Sequence, residues 1–478
     1  MNEMSGWRSI LEDNRQKYVA QLVDLLRIPS ISADTASVPD VLRAATWVAD
    51  RMKGAGIENV EVLPTGQHAC VYGDWLHAPG KPTVLIYGHF DVQPADPLEL
   101  WDSPPFEPVI VDGCIYARGA TDMKANLLLC LIAAEVLLAA EGELPVNVKY
   151  LFEGQEEIGS RDLGPFVSAH RNRLACDLVL TPDGMQWSAD QPALWMGTKG
   201  LCALQIDLET AAMDLHSGLF GGAVPNAIHA LVELLGSARD VEGKILVDGF
   251  YDTVKPLTDE ERSGINLVPY DAAAYKAAIG ADALVGEPGY TTFERAWARP
   301  TLEVNGIWGG YQGDGVKTVI PAKAHAKITC RLVANQEPED ILDKLETHFQ
   351  RHKPTGARLT ISRLGGRARP YLMPRENVGI QAVSDVLEEF YGRAPFYVRV
   401  GGTLPIMDMF LQELNAYSVV VGFGLEDERM HSPNEFMRLA NYEKGQVVYA
   451  LLFKKLGELA PGSMVADASV SKPLGHQS

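Results

Sequence analysis

Apolar positions recur at helical spacing over residues 7 to 27 and 40 to 53, then contract into the continuous run TVLIY (83 to 87). Such a run, bounded by Pro82 and by polar residues, predicts a fully buried strand. Residues 124 to 141 return to a helical length of apolar chain, closed by Gly142, a residue suited to the left-handed turn that ends helices. Two more buried strands are predicted, VNVKYLF (146 to 152) and DLVLT (177 to 181). Strands that alternate with helices imply an α/β fold, a mainly parallel sheet covered on both faces, with chemistry at the carboxyl ends of its strands.

From about residue 199 the pattern becomes strand, helix, a long irregular insert (241 to 300), strand, helix, strand. AHAKITCRLVA (324 to 334) and ARLTISRL (357 to 364) flank the amphipathic helix PEDILDKLETHFQRH (338 to 352). This predicts a smaller α+β domain inserted into the first. After about 376 the helix at 378 to 392 and the strand AYSVVVGFG (416 to 424) resume the earlier style. The expected organisation is residues 1–198 and 376–460 as one domain, 199–375 as the insertion, and 461–478 as a disordered tail without apolar period.

A chain of 478 residues exceeds one ordinary core, which agrees with two domains. Its formal charge of −20 opposes phosphate backbones and anionic membrane surfaces, so neither nucleic acid nor membrane is an expected partner. Six cysteines at 70, 114, 130, 176, 202 and 330 form no CxxC pair. A disulfide framework and a thiolate metal site are both unsupported, and a reducing, cytoplasmic location is expected. The N-terminal residues lack the basic start and apolar core of a secretion signal. The most apolar stretch, 127 to 140, carries Glu135 and is short for a bilayer span, so it reads as a buried helix.

The informative polar residues stand where strands end. His89 and Asp91 follow TVLIYG, two positions apart and so on one side of an extended chain. Asp122 sits at a loop-to-helix boundary, where an N-cap would be. Glu156 and Glu157 follow the next strand, Asp183 the one after, and His431 comes after VVVGFG. Taken singly, each has an ordinary structural explanation: a hydrogen-bonded histidine, a helix cap, solvated acids. Taken together, two imidazoles and several carboxylates at the strand ends of one sheet need a compensating cation. Nitrogen and oxygen donors without thiolate suit zinc, manganese or cobalt, and a shared carboxylate suits two ions about 3.5–4 Å apart.

GHFDVQP, RGATDMK, EGQEEIGS, TPDG, DLHSG and MHSPNE, in that order, resemble the M20 family of dinuclear metallopeptidases and amidohydrolases, most nearly its cytosolic nonspecific dipeptidase and carnosinase branch. The resemblance runs from the first helix to about residue 458. It implies a dinuclear-metal catalytic domain with an inserted ferredoxin-like lid and dimerisation domain. Carried onto this chain, His89 and Asp183 hold one metal, Glu157 and His431 the other, and Asp122 bridges them, followed by a cis peptide to Met123. Asp91 orients a ligand or tunes the base, and Glu156 is the general base. Which of Glu156 and Glu157 is base and which is ligand comes from the resemblance; the residues alone allow the reverse.

The same resemblance makes His216 a donor to the oxyanion, reaching into the partner's site of a homodimer, and Arg331 a clamp for the substrate carboxylate. Thr318, Gly402 and Thr403 match substrate-contacting positions. Without it, His216 reads as a loop histidine and Arg331 as a surface side chain. One departure is Leu364 before Gly365–Gly366, where some dipeptidases of the branch carry histidine, which bears on how the substrate terminus is held. The expected function is metal-dependent hydrolysis, with two divalent ions, zinc first, of dipeptides or short peptides bearing a free carboxylate. The rivals are an N-acyl amino acid deacylase or carboxypeptidase on the same scaffold, and a non-catalytic metal-binding or interaction protein. Intact ligands and base argue against the last.

Overall fold

The computed structural model describes residues 6–466, and they form two compact units. The first runs to Met196, takes in Met373–Tyr397, and resumes at Met409; the second is Gly197–Leu372 with Val398–Asp408. The segment at 398–408, read from the sequence as part of the first domain, belongs to the second. Lys199 N–H donates to Gly402 O (2.9 Å) and Arg331 Nη1 to Thr403 Oγ1 (2.6 Å), bonds between distant positions that no local pattern reveals.

The first unit is built on a mixed sheet. Seven of the sheet's nine strands run in the order Glu58–Thr65, His68–Trp75, Asn147–Glu153, Thr83–His89, Leu178–Thr181, Ser418–Val420, Ala193–Thr198. The four strands from Asn147–Glu153 to Ser418–Val420 are mutually parallel, and the flanking pairs are antiparallel. Their carboxyl ends therefore share one edge, where His89 closes its own strand and Glu156, Glu157 and Asp183 follow theirs.

Helix Ala125–Glu141 packs on helices Leu439–Leu456 and Gly6–Asp13. Apolar on nearly every face, it is buried on nearly every face, as such a helix must be in water. Each fully buried Leu, Ile or Val there contributes about 1.5–3 kcal/mol relative to exposure. Its mid-helix acid, Glu135, is met by Arg51 (2.5 Å) and Lys17 (2.6 Å). Among the described residues the only helix long and apolar enough to cross a membrane is this one with its preceding turn, Ala120–Glu141, and it is mostly buried inside the protein. Gly142 ends it in the left-handed region (φ 78°), its N–H bonded to Leu138 O. The N-terminal helical stretch is divided into Gly6–Asp13 and Arg15–Leu26.

The second unit is an antiparallel sheet ordered Thr301–Gly309, Lys323–Leu332, Gly200–Glu209, Arg358–Arg363. With helices Ala227–Gly236 and Pro338–Arg351 this is the βαββαβ ferredoxin-like arrangement. Alternate residues Cys202, Leu204, Ile206 and Leu208 join Ala324, Ala326, Ile328 and Cys330 in one core. The insert at 241–300 is more ordered than expected. It holds helices Asp259–Asn266, Ala272–Ile279 and Thr292–Ala298, the first and last closed by capping boxes on Thr258/Glu261 and Thr291/Glu294.

The expected tail also needs correction where it is described. Met464 and Ala466 are buried, and Asn377 Nδ2 and Asn415 Nδ2 bond their carbonyls at 2.8 and 2.9 Å. The rest of that tail, 467–478, lies outside the described residues.

Candidate metal centre and active site

Strand Thr83–His89 delivers His89 almost fully buried, at the carboxyl edge of the sheet. Its Nδ1 lies 3.1 Å from Asp91 O and 3.4 Å from Asp91 Oδ1, contacts that hold a proton on Nδ1 and turn Nε2 inward. That Nε2 makes no hydrogen bond, yet carboxylate oxygens of Asp122 (3.3 Å), Asp183 (3.7 Å) and Glu156 (4.0 Å) surround it.

Asp122 does not cap the helix it precedes; no side-chain cap bond forms there. Its Oδ2 instead lies 2.7 Å from His431 Nε2, while its Oδ1 faces His89. The Asp122–Met123 peptide is cis. His431 Nε2 is also 3.3 Å from Glu157 Oε2. Two groups of ligand atoms result, His89/Asp122/Asp183 and Asp122/Glu157/His431, each within 4.8 Å, with Asp122 common to both. All five sequence-expected ligands converge.

Asp91, fully buried, organises the adjacent turn. Its Oδ1 accepts from Glu156 N (3.2 Å) and its Oδ2 from Glu157 N (3.1 Å), so one carboxylate positions both glutamates and the His89 ring. Glu156 points its Oε2 toward His89, and Glu157 is steadied by Gln93 Nε2 (2.8 Å). Gly184, next to Asp183, comes so near Gly422 that a Cβ on Gly422 would lie 1.9 Å from Gly184 O. Neighbouring strand ends can therefore close side by side there.

Charge shows what the cluster needs. Burial pushes Asp183 up to about 7, and burial together with the nearby acids Asp183, Glu157 and Asp122 holds Glu156 well above the usual carboxylate range. Burial works against charge on His89, but its contacts with Asp122 and Asp91 raise its basicity well above normal. Asp122 and Glu157 raise His431 to about 10. Burial opposes ionisation of Asp122 too, yet His431 and His89 keep it well below its ordinary value. Five crowded carboxylates draw protons onto whatever will hold them. Two divalent cations would offset four of those negative charges, and the unbonded Nε2 of His89 offers a lone pair for one of them. The donor set fits a dinuclear site.

Glu435 and Arg118 stand inside the MHSPNE and RGATDMK motifs, where the sequence assigns them no task. Both are nearly fully buried. The Glu435 carboxylate accepts from Arg118 Nη1 (2.7 Å) and from the backbone N–H groups of Gly119 (3.0 Å), Thr121 (3.0 Å) and Asp122 (3.1 Å). It thereby ties the His431 loop to the Asp122 turn. Buried Glu428 adds a second tie through Thr121 Oγ1 (2.8 Å). Between them Arg429, His431 and Asn434 all have positive φ (58°, 60°, 63°), conformations that cost free energy and persist because both ends of the loop are held.

The remaining expected residues lie in the second unit and form two groups there. Leu215–His216 pairs with Val319–Ile320, and Ser217 N–H donates to Thr318 O (3.0 Å), so exposed His216 and Thr318 are neighbours. His216 Nδ1 accepts from Gly218 N (3.0 Å), which leaves Nε2 free to carry the proton. Arg331, Thr403 and Gly402 form the other group. Leu364 is bonded through its N–H to Ala203 O (2.9 Å).

Residues 85–455 match the family described as Peptidase family M20/M25/M40. A Cys-Gly metallodipeptidase of Schizosaccharomyces pombe is 31% identical over 471 residues, 95% of this chain and 98% of that protein. Beta-Ala-His dipeptidase of Homo sapiens is 30% identical over 470 residues, 95% and 90% of the two chains. The solved structure of an M20 family metallo-carboxypeptidase from Sulfolobus solfataricus superposes with a TM-score of 0.78 at 31% identity, covering 92% of this chain and 99% of that one. With His89, Asp122, Asp183, Glu157 and His431 gathered in two groups that could hold metal ions, this chain belongs to peptidase family M20/M25/M40.

Proposed function

We propose that the protein hydrolyses the amide bond of dipeptides or short peptides with a free C-terminal carboxylate, using two divalent metal ions per chain, zinc first and manganese or cobalt as alternatives. The observation that carries this is the pair of three-residue ligand groups sharing Asp122, with Glu156 beside them. When bound, the ions supply Lewis acidity, polarising the scissile carbonyl and acidifying a water at neutral pH.

The protein groups do the rest. His89 and Asp183 would hold one ion and Glu157 and His431 the other, with Asp122 available to both. Glu156 accepts the proton of the attacking water and returns it to the departing amine nitrogen. A carboxylate whose proton affinity is raised by burial is suited to both transfers. Asp91 fixes the His89 ring and the glutamate turn. His216 donates Nε2–H to the oxyanion, from the partner subunit of a homodimer, and Arg331 grips the substrate carboxylate with Thr318, Gly402 and Thr403 in support. Dipeptidase names among the relatives favour dipeptides, and the cytoplasm is the proposed location.

The test is metal content per chain together with hydrolysis of an Ala-Ala dipeptide and of N-acetyl-alanine, before and after chelation and readdition of zinc, manganese or cobalt. Nearly two ions per chain, and dipeptide cleavage lost and restored with them, is expected. Bound metal with cleavage of the N-acetyl substrate alone would move the function to a deacylase, and failure to bind metal would remove the dinuclear site.

A further inference from the structure

We propose that Lys199 is a second cation of the subsite that grips the substrate's free carboxylate, acting beside Arg331 and Thr403. This rests on the peptidase reading above.

The register of the second unit's sheet sets Arg331 directly opposite Leu201. Both project from the face opposite the core, which takes the alternate residues Cys202 and Cys330. Lys199 occupies the break between strands Ala193–Thr198 and Gly200–Glu209, two residues before Leu201. Its backbone N–H bonds Gly402 O at 2.9 Å, one residue from the hydroxyl that Arg331 engages at 2.6 Å. Lys199 and Arg331 are thus fastened to adjacent residues of one loop.

Charge balance around them is incomplete. Lys199 is 3% exposed, and its Nζ has one hydrogen bond, to Arg295 O at 3.2 Å, although an ammonium has three donors. Its charged surroundings are Arg331, Arg299 and the single acid Glu303. Arg299 is already neutralised by Glu287 through two bonds of 2.7 Å. Among the described residues Arg331 has no carboxylate partner. Two cations therefore face one acid, and Glu303 is exposed to solvent. Burial, with Arg331 adding repulsion, pushes the Lys199 ammonium down to about 7. A buried cation in that position is stabilised by an arriving anion, and a peptide's C-terminal carboxylate has the oxygens to meet a guanidinium fork and an ammonium together. The bond to Arg295 O near the end of helix Thr292–Ala298 explains one donor of Lys199, not why a charge is kept there.

The test compares kcat and KM for a dipeptide and for the same dipeptide amidated at its C-terminus, in the wild type, Lys199→Met and Lys199→Arg. In Lys199→Met, kcat/KM for the free-carboxylate substrate is expected to fall about tenfold or more, chiefly through KM, with the amide changed less than about twofold. Lys199→Arg should recover much of the loss. An equal fall for both substrates would assign Lys199 to helix support alone, and an unchanged preference would remove it from the subsite. Should Lys199→Met not fold, the wild type still decides: its preference for carboxylate over amide is expected to decline as pH rises above about 7, whereas a pH-independent preference, as Arg331 alone would give, overturns the proposal. A wild type that cleaves neither substrate would overturn the peptidase reading and this inference together; cleavage without the Lys199 effect overturns only the inference.

Discussion

Replacing Glu435 by alanine should damage the metal site without touching a ligand. The side chain accepts four hydrogen bonds, from Arg118 and from three consecutive-turn N–H groups ending at Asp122. Removing one member of a buried ion pair costs about 3–5 kcal/mol, because the surviving Arg118 charge stays buried. Each backbone N–H left without an acceptor would cost about 1–3 kcal/mol more if water could not enter. The alanine vacates room for water, so the ion-pair loss of about 3–5 kcal/mol is the working figure. At roughly 2 °C per kcal/mol for a unit of this size, melting should fall about 6–10 °C. Glu435→Gln keeps the shape and one acceptor but loses the charge, so a smaller loss in the same direction is expected. Both variants free the Asp122 turn and the His431 loop, so metal affinity should fall as well. The assay is thermal melting of metal-free and metal-loaded protein, paired with calorimetric zinc titration. A Glu435→Gln variant with unchanged melting and unchanged zinc affinity would refute the clamp.

On the proposed role of Glu156 as a proton carrier and not a ligand, Glu156→Gln should lower kcat by about 10²–10⁴-fold while metal content by elemental analysis stays near two per chain. Asp91→Asn keeps an acceptor for one glutamate N–H and weakens the hold on His89, so metal affinity or turnover should drop about 10–100-fold, read by competition with a chelator and by steady-state rates. Lys199→Met should stabilise the metal-free protein below about pH 7. There the folded wild type carries a buried charge whose basicity is depressed from that of an ordinary lysine, and the difference should shrink as pH rises from about 7 toward 10, measured by denaturant melts at several pH values. His216→Ala should be inactive alone yet regain activity when mixed with Glu156→Gln under subunit exchange; no recovery after verified exchange would place both groups in one chain.

Much of the candidate metal cluster was legible because a buried strand announces itself by composition, and the residue that ends it can be named without knowing the fold. His89 after TVLIYG and Asp183 after DLVLT are of this kind. Asp122 was legible in place; position alone allowed a helix cap, the family resemblance assigned it to both metal groups, and it makes no cap bond. Glu435 and Arg118 were not legible as a pair: they stand 317 residues apart, and only the sheet order brings them together. The insert at 241–300 is a different failure. Its capping boxes, T-D-E-E at 258–261 and T-T-F-E at 291–294, are local signals that the eye for long apolar periods passes over. Segment 398–408 joined the second unit through Lys199, Arg331 and the Arg399–Glu261 pair, contacts that carry no local periodicity.

The span between Asp122 and His431 also governs how the molecule is made. During synthesis, His89, Asp122, Glu157 and Asp183 emerge early, but their parallel neighbour Ser418–Val420 and the loop bearing His431 and Glu435 come more than two hundred residues later. The nascent chain must therefore shelter an acidic half-site while nearly all of the second unit, contiguous over Gly197–Leu372, passes through the ribosome and can collapse first. Only when residue 435 is free can Arg118 find its counter-charge and the sheet edge close, so no amino-terminal fragment ending before residue 431 can bring a histidine to Asp122 from that loop.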